Sequence, residues 1–189
     1  NAVEVVSTLE QLRSSEPDVL VASIYGPGVP VIIKSRAKLG WDVPLWGDSS
    51  FSGTDFYDGL DPAAFEGVTM VAPQTSVVGS DLSKTEAYET MREALSKAQG
   101  GPLQGTAGAY VPNYMALIIL HYAAEAAGST DADAIYEARS KLDPKDMPLY
   151  AGSSTLWKTQ DSHWPTFLPE DFTGIKPGSL EEGFLLPGE

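Results

Sequence analysis

The sequence predicts an α/β fold: a parallel sheet flanked by helices, then a mainly helical part, then a β-rich C-terminal tail. Three observations carry this. Short apolar runs occur at 18–22, 43–46 and 67–72, the first β-branched, as expected of parallel strands covered on both faces. The first two are each followed by a loop of Gly, Ser, Asp or Pro and then by a helical or turn segment, the alternation that a parallel sheet requires. Beyond Pro73 the apolar residues recur at helical rather than strand spacing.

Taken in order, residues 8–15 read as the end of a helix in which Leu9 and Leu12 share a face. Glu16-Pro17 stops it, because the residue before proline disfavours α geometry. The strand at 18–22 runs through Ser23-Ile24-Tyr25-Gly26-Pro27-Gly28 into a helix at 29–39, with Gly40 as its C′ residue. A second strand at 43–46 leads to the loop Gly47-Asp48-Ser49-Ser50. A helical turn near 55–60 and a third strand at 67–72 complete the pattern. Right-handed crossovers place both strand-to-helix loops on the carboxyl edge of the sheet, where open α/β folds bind ligands. Helices follow at 83–98, stopped by Gly100-Gly101-Pro102, at 111–127 with Pro112 in its first turn, and at 131–142 with Asp131 as cap. The segment 148–189, rich in Gly, Pro and aromatics, reads as a β-hairpin and an irregular tail. The domain boundaries implied are 1–75, 76–147 and 148–189.

Composition excludes several functions. A net charge of −14 with only 12 Lys and Arg argues against nucleic acid, which needs clustered cations. Cysteine is absent, which removes thiol nucleophiles, thiolate metal sites and disulfides together. The longest apolar patch, 115–127, is interrupted by His121, Tyr122 and Glu125 and falls short of a bilayer span. The two histidines, His121 and His163, and the lack of a Gly-x-Ser-x-Gly elbow leave little material for a catalytic triad. Gly26-Pro27-Gly28 lacks the third glycine of a dinucleotide fingerprint. The start at Asn1-Ala2-Val3-Glu4 shows no secretion signal, so a signal removed or an upstream portion missing is expected.

The strings Glu16-Pro17-Asp18-Val19-Leu20-Val21-Ala22-Ser23-Ile24-Tyr25-Gly26-Pro27-Gly28, Lys38-Leu39-Gly40-Trp41 and Val43-Pro44-Leu45-Trp46-Gly47 resemble the second lobe of type I periplasmic solute-binding proteins of ABC importers. Phe65-Glu66-Gly67-Val68, Asn113-Tyr114-Met115-Ala116-Leu117 and the junction from Ala124 through Gly128-Ser129-Thr130-Asp131 to Ile135 agree in order and rough spacing. The leucine/isoleucine/valine-, amide- and urea-binding members are the nearest in style. The resemblance implies a chain about half as long as its relatives. Residues after about Pro73 would return to the first lobe, and the rest of that lobe would be supplied by a separate polypeptide or be absent.

The same resemblance points to a ligand site made of Ser23, Ile24, Tyr25, Gly26, Trp46, Asp48, Ser49 and Tyr114. Tyr25 would stack on the ligand beside a helix N-terminus, or else cap the sheet edge. Asp48 would pair with a ligand ammonium, or cap the following turn; if the family carboxylate aligns with Ser49 instead, a ligand without an amine is implied. Trp46 would wall the site or join the core. Tyr114 would reach the cleft or pack inward. Trp41 reads as a surface or hinge residue, His121 as a core histidine, His163-Trp164 as part of a hairpin, and Asp55 with Asp58 as a solvated face.

The function implied is non-enzymatic: reversible capture of a small polar ligand, such as an amino acid or amide, in a cleft closed by hinge motion. The partner would be an ABC permease in the membrane, the location periplasmic or extracellular and membrane-anchored. No metal or organic cofactor is required. Two rivals stay open, a sensory domain of the same fold and a flavodoxin-like or reductase-type enzyme.

Overall fold

The computed structural model describes residues 5–52, 60–103, 105–152, 169–177 and 180–187. The turn expected at 55–60, except Leu60, and the pairs Asp55 with Asp58 and His163 with Trp164 lie outside them. The chain forms two compact units. The first comprises Asn1–Ala72, Gly174–Glu181 and Leu185–Glu189, the second Pro73–Thr173 and Glu182–Phe184.

In the first unit, α1 (Val6–Arg13) is followed by β1 (Leu20–Ala22), α2 (Gly28–Lys38), β2 (Leu45–Gly47) and β3 (Val68–Pro73). The three strands are neighbours in the order β1-β2-β3, and both pairings are parallel. The expected topology is therefore present, with α2 as the crossover between β1 and β2. A fourth strand, β4 (Phe172–Ile175), which sequence reading left within an irregular tail, joins the sheet beside β3.

The register aligns Leu20 with Leu45 and Val68, and Ala22 with Gly47 and Met70. These rows are buried, together with Val29 and Ile33 of α2. The row between them, Val21, Trp46 and Thr69, turns to the other face. There Val21 is 80% exposed and Trp46 44% exposed. The expectation of strands covered on both faces is thus corrected. Successive side chains alternate across a strand, and among the described residues the helices of this unit cover one face alone.

Arg36 ties the layers together. Its side chain is buried, its Nε donates to the Val43 carbonyl at 2.8 Å and its Nη2 to the Glu66 carbonyl at 3.0 Å. One helical residue thereby satisfies the backbone entering β2 and the turn before β3. Burial pushes its guanidinium below the ordinary value, against the opposing charges of Asp42 and Glu66. On the outer side, the buried Ser35 hydroxyl accepts the Val5 N–H at 3.0 Å. Arg13 donates to the Leu39 carbonyl at 3.2 Å, so α1 is fastened along α2. Gly40, at φ 53°, closes α2 as expected.

The second unit holds α3 (Glu86–Gln99), α4 (Ala107–Ala127) and α5 (Ala132–Arg139). Its core joins Tyr88 and Met91 of α3, Val111 and Met115 of α4, and Met147, Tyr150 and Phe184. Phe184 meets the Tyr88 ring edge-on at 5.5 Å. Arg92 lies 5.1 Å above the Phe184 ring and pairs with Glu182 at 2.9 Å. Asp131 caps α5 as expected, accepting from the N–H groups of Asp133 and Ala134 at 3.1 Å each. The ends differ from expectation elsewhere. Helix α3 begins at Glu86, capped by Thr85, because a 3-10 turn occupies Leu82–Lys84. Helix α5 stops at Arg139.

Helix α4 starts four residues early, so Pro112 lies inside it rather than in its first turn. The Gly183 carbonyl accepts the Ala107 N–H at 2.6 Å and supports that earlier start. Pro112 and Gly108 both face solvent, so water can serve the carbonyl that proline leaves without an N–H. β5 (Leu180–Glu181) and β6 (Phe184–Leu185) form a two-stranded ribbon. Glu182 and Gly183 between them have φ of 49° and 87°, the positive pair that a type I′ turn demands. No helix among the described residues is long and apolar enough to cross a membrane.

Replacing Arg36 with Met keeps the buried stem and strips both carbonyls of their donor. Urea denaturation is expected to show a loss of about 2–3 kcal/mol, the range for hydrogen bonds from a charged group. An unchanged midpoint would assign the layer contact to packing alone.

Candidate functional site

The carboxyl ends of β1 and β2 lie side by side because the two strands are parallel and in register. Each feeds a short loop. After β1, Gly26 takes φ 57°, a left-handed conformation that costs glycine little. The chain then turns into α2 through Gly28 N–H to the Tyr25 carbonyl at 3.3 Å and Val29 N–H to the Gly26 carbonyl at 3.1 Å. Tyr25 sits at the tip of this turn and is 85% exposed.

After β2 the direction is set by a close approach. A Cβ on Gly47 would lie 2.2 Å from Cδ2 of Phe51, and Phe51 is fully buried. Only glycine lets that ring fold back under the strand end. The 3-10 turn Ser49–Ser52 results, and it swings Ser50 over Asp48.

Asp48 then joins the two loops. Its Oδ2 accepts from the Ser23 hydroxyl at 2.6 Å, and its Oδ1 from the Ser50 N–H at 2.9 Å. The Ser50 hydroxyl lies within reach of both Asp48 Oδ1 and the Ile24 carbonyl, which share its single proton. Partial burial pushes the Asp48 carboxyl up. The hydrogen bonds from Ser23 and Ser50 outweigh it, and the group lies below its ordinary range. Ser50 was missed by sequence reasoning. The available signal was the Asp48-x-Ser50 spacing, in which an Asx turn takes the N–H two residues on.

Of the residues expected at the site, Ser23 and Asp48 are linked directly and Ile24 through Ser50, and Tyr25, Gly26 and Ser49 belong to the same two loops. Trp46 is central in β2 on the open face, where its Cη2 would lie 4.0 Å from a Cβ on Gly174. Tyr114 belongs to the second unit, half-buried against that unit's core. Burial, and then the neighbouring Tyr122, hold its hydroxyl above the ordinary value and so neutral. His121 is a correction: it is an exposed residue of α4, 3.6 Å from Glu125, and not a core histidine, because it falls on the solvent side of that helix.

Chemically, the loops offer hydroxyls, a phenol and backbone groups. A Ser–Asp pair alone does not make a nucleophile, since a carboxylate held below its usual range is a poor base. No three His, Cys, Asp or Glu side chains among the described residues gather in a metal-binding arrangement.

Known proteins agree with this architecture. A solved type 1 periplasmic binding protein from Bordetella pertussis Tohama I superposes with TM-score 0.68 at 15% identity, covering 99% of this chain and 50% of its own. A fatty acid ABC transporter substrate-binding protein from Thermomonospora curvata gives TM-score 0.65 at 16% identity, with 94% and 44% covered. A leucine binding protein from Thermotoga maritima gives 0.61 at 19% identity, with 79% and 41% covered. The chain thus spans about half the length of the solved structures it matches. No curated protein sequence matches it. The model of the periplasmic binding protein family covers residues 1–163, most of both units, and with the parallel sheet and its loops in place the chain belongs to that family, in its type I form.

Proposed function

We propose that this chain is a non-enzymatic part of the exported solute-binding receptor of an ABC importer, and that it holds one wall of the site for a small polar ligand. The observation that carries the proposal is the joining of two strand-end loops through Asp48, with Ser23, Tyr25 and Ser49 exposed in those loops at one sheet edge. Ligands of open α/β sheets bind at that edge. Ser23, Ile24, Tyr25, Gly26, Asp48 and Ser49 form the wall in this proposal, with Trp46 at its margin. A permease is the partner that receives the ligand.

A small acid as ligand is supported by two similar structures, named for a fatty acid and for leucine. Both molecules carry a carboxylate and an apolar chain. An apolar chain fits an exposed phenol ring, and a carboxylate fits hydroxyl and backbone N–H donors.

Native mass spectrometry of freshly purified protein should show no tightly held cofactor; a bound nucleotide or flavin would refute the receptor reading. In titration calorimetry with L-leucine, acetamide and octanoate, the 189-residue chain is expected to bind with Kd no tighter than about 1 mM, near −4 kcal/mol. A receptor with the matched structures' full length would enclose the ligand from a second side. Tight binding by this chain alone would show that a complete site lies within it. Tyr25→Ala should weaken the bound probe about tenfold, the worth of one aromatic contact. No change on that substitution would remove Tyr25 from the wall.

A further inference from the structure

We propose that Asp48 is a positioning residue, a brace that holds the Tyr25 loop, and that it is not the partner of a ligand ammonium. The geometry points to this in three ways. The carboxylate faces protein donors on both oxygens, with the Ser23 hydroxyl on Oδ2 and the Ser50 N–H and hydroxyl on Oδ1. An ionised carboxylate offers about four acceptor positions, so most of its capacity is committed before any ligand arrives. The donors come from two loops, which also meet through the short β1–β2 ladder and the Ser50 contact with the Ile24 carbonyl. Asp48 therefore closes a ring running from Ser23 and Ile24 through Ser50 and back. The turn that presents Tyr25 begins at the residue after Ile24, so its orientation is inherited from that ring.

The consequence concerns specificity. An ammonium arriving at Asp48 would share Oδ2 with the Ser23 hydroxyl, and drawing the carboxylate toward it would loosen the brace on the loop that carries Tyr25. An α-amine then brings no advantage at this wall. The ligand group favoured there is the carboxylate or amide end, read by Ser49 and the loop N–H groups, since the Ser23 proton is held by Asp48. Octanoate-like and leucine-like acids are thus treated alike by this half of the site. This second part rests on the solute-capture reading; the bracing itself does not.

Asparagine separates the two roles. Its Oδ1 can still accept the Ser50 N–H, and its Nδ2 can donate to the Ser23 oxygen, which turns from donor to acceptor. A brace survives Asp48→Asn and fails in Asp48→Ala, whereas an ammonium partner is lost in both. Backbone order parameters of Tyr25 and Gly26 in the 189-residue chain, measured by 15N relaxation, should stay near about 0.85 in the wild type and in Asp48→Asn and fall below about 0.6 in Asp48→Ala. Chemical-shift titration with L-leucine and with 4-methylpentanoate, its counterpart without the amine, should give affinities within about threefold of each other. Asp48→Asn should leave that ratio unchanged. The proposal is overturned if Asp48→Ala leaves the loop ordered, if Asn disorders it as Ala does, or if leucine is favoured tenfold or more and Asn abolishes the preference. If neither acid binds, it is the capture of such acids that fails, and the order parameters decide the brace by themselves.

Discussion

Parallel registration of β1, β2 and β3 is the constraint from which the rest of the first unit follows. Once Leu20, Leu45 and Val68 share a row, the side chains on one face must all be apolar, and α2 must lie across them to exclude water. The strand ends are thereby brought to one edge, and the loops that follow become neighbours although 25 residues separate Ser23 from Asp48. A hydrogen bond over that separation is affordable because the ladder has already closed the intervening chain.

Two buried polar devices make the registration specific. Arg36 reaches out of α2 to the backbone at both Val43 and Glu66, so the helix can sit in only one position along the sheet without leaving carbonyls unpaired. Gly47 admits the Phe51 ring where a Cβ would collide with it, and that contact sends the chain back toward β1. The aromatic ring below and the Asp48 carboxylate above hold the same short loop from opposite sides. Packing supplies the rigidity, and hydrogen bonding supplies the direction. The loop after β2, held in this way, anchors the loop after β1 through Ser23, and Tyr25 on that loop faces solvent, as a binding wall requires.

The second unit reaches its order differently. Its helices pack on one another, and contacts distant in sequence, such as Phe184 on Tyr88 and Arg92 with Glu182, draw the segment Glu182–Phe184 onto α3. The early start of α4 depends on the Gly183 carbonyl in that segment. Helix ends in this unit are therefore tertiary properties, and propensity near Pro112 was a poor guide to them.

Local chemistry determined much on its own. The apolar runs at 18–22, 43–46 and 67–72, the stop at Gly40 and the cap at Asp131 were legible because alternation, positive φ and capping act within a few residues. The order of similar segments was enough to suggest the family. The open face bearing Val21 and Trp46, the entry of β4 into the sheet, the exposure of His121 and the recruitment of Ser50 were decided only by the tertiary structure. Each depends on which surface a distant segment covers, or on which donor a turn delivers, and periodicity carries no such information. Asp48 marks the boundary between the two: its place after a strand was readable from sequence, while its commitment to Ser23 and Ser50 required two strands to lie side by side.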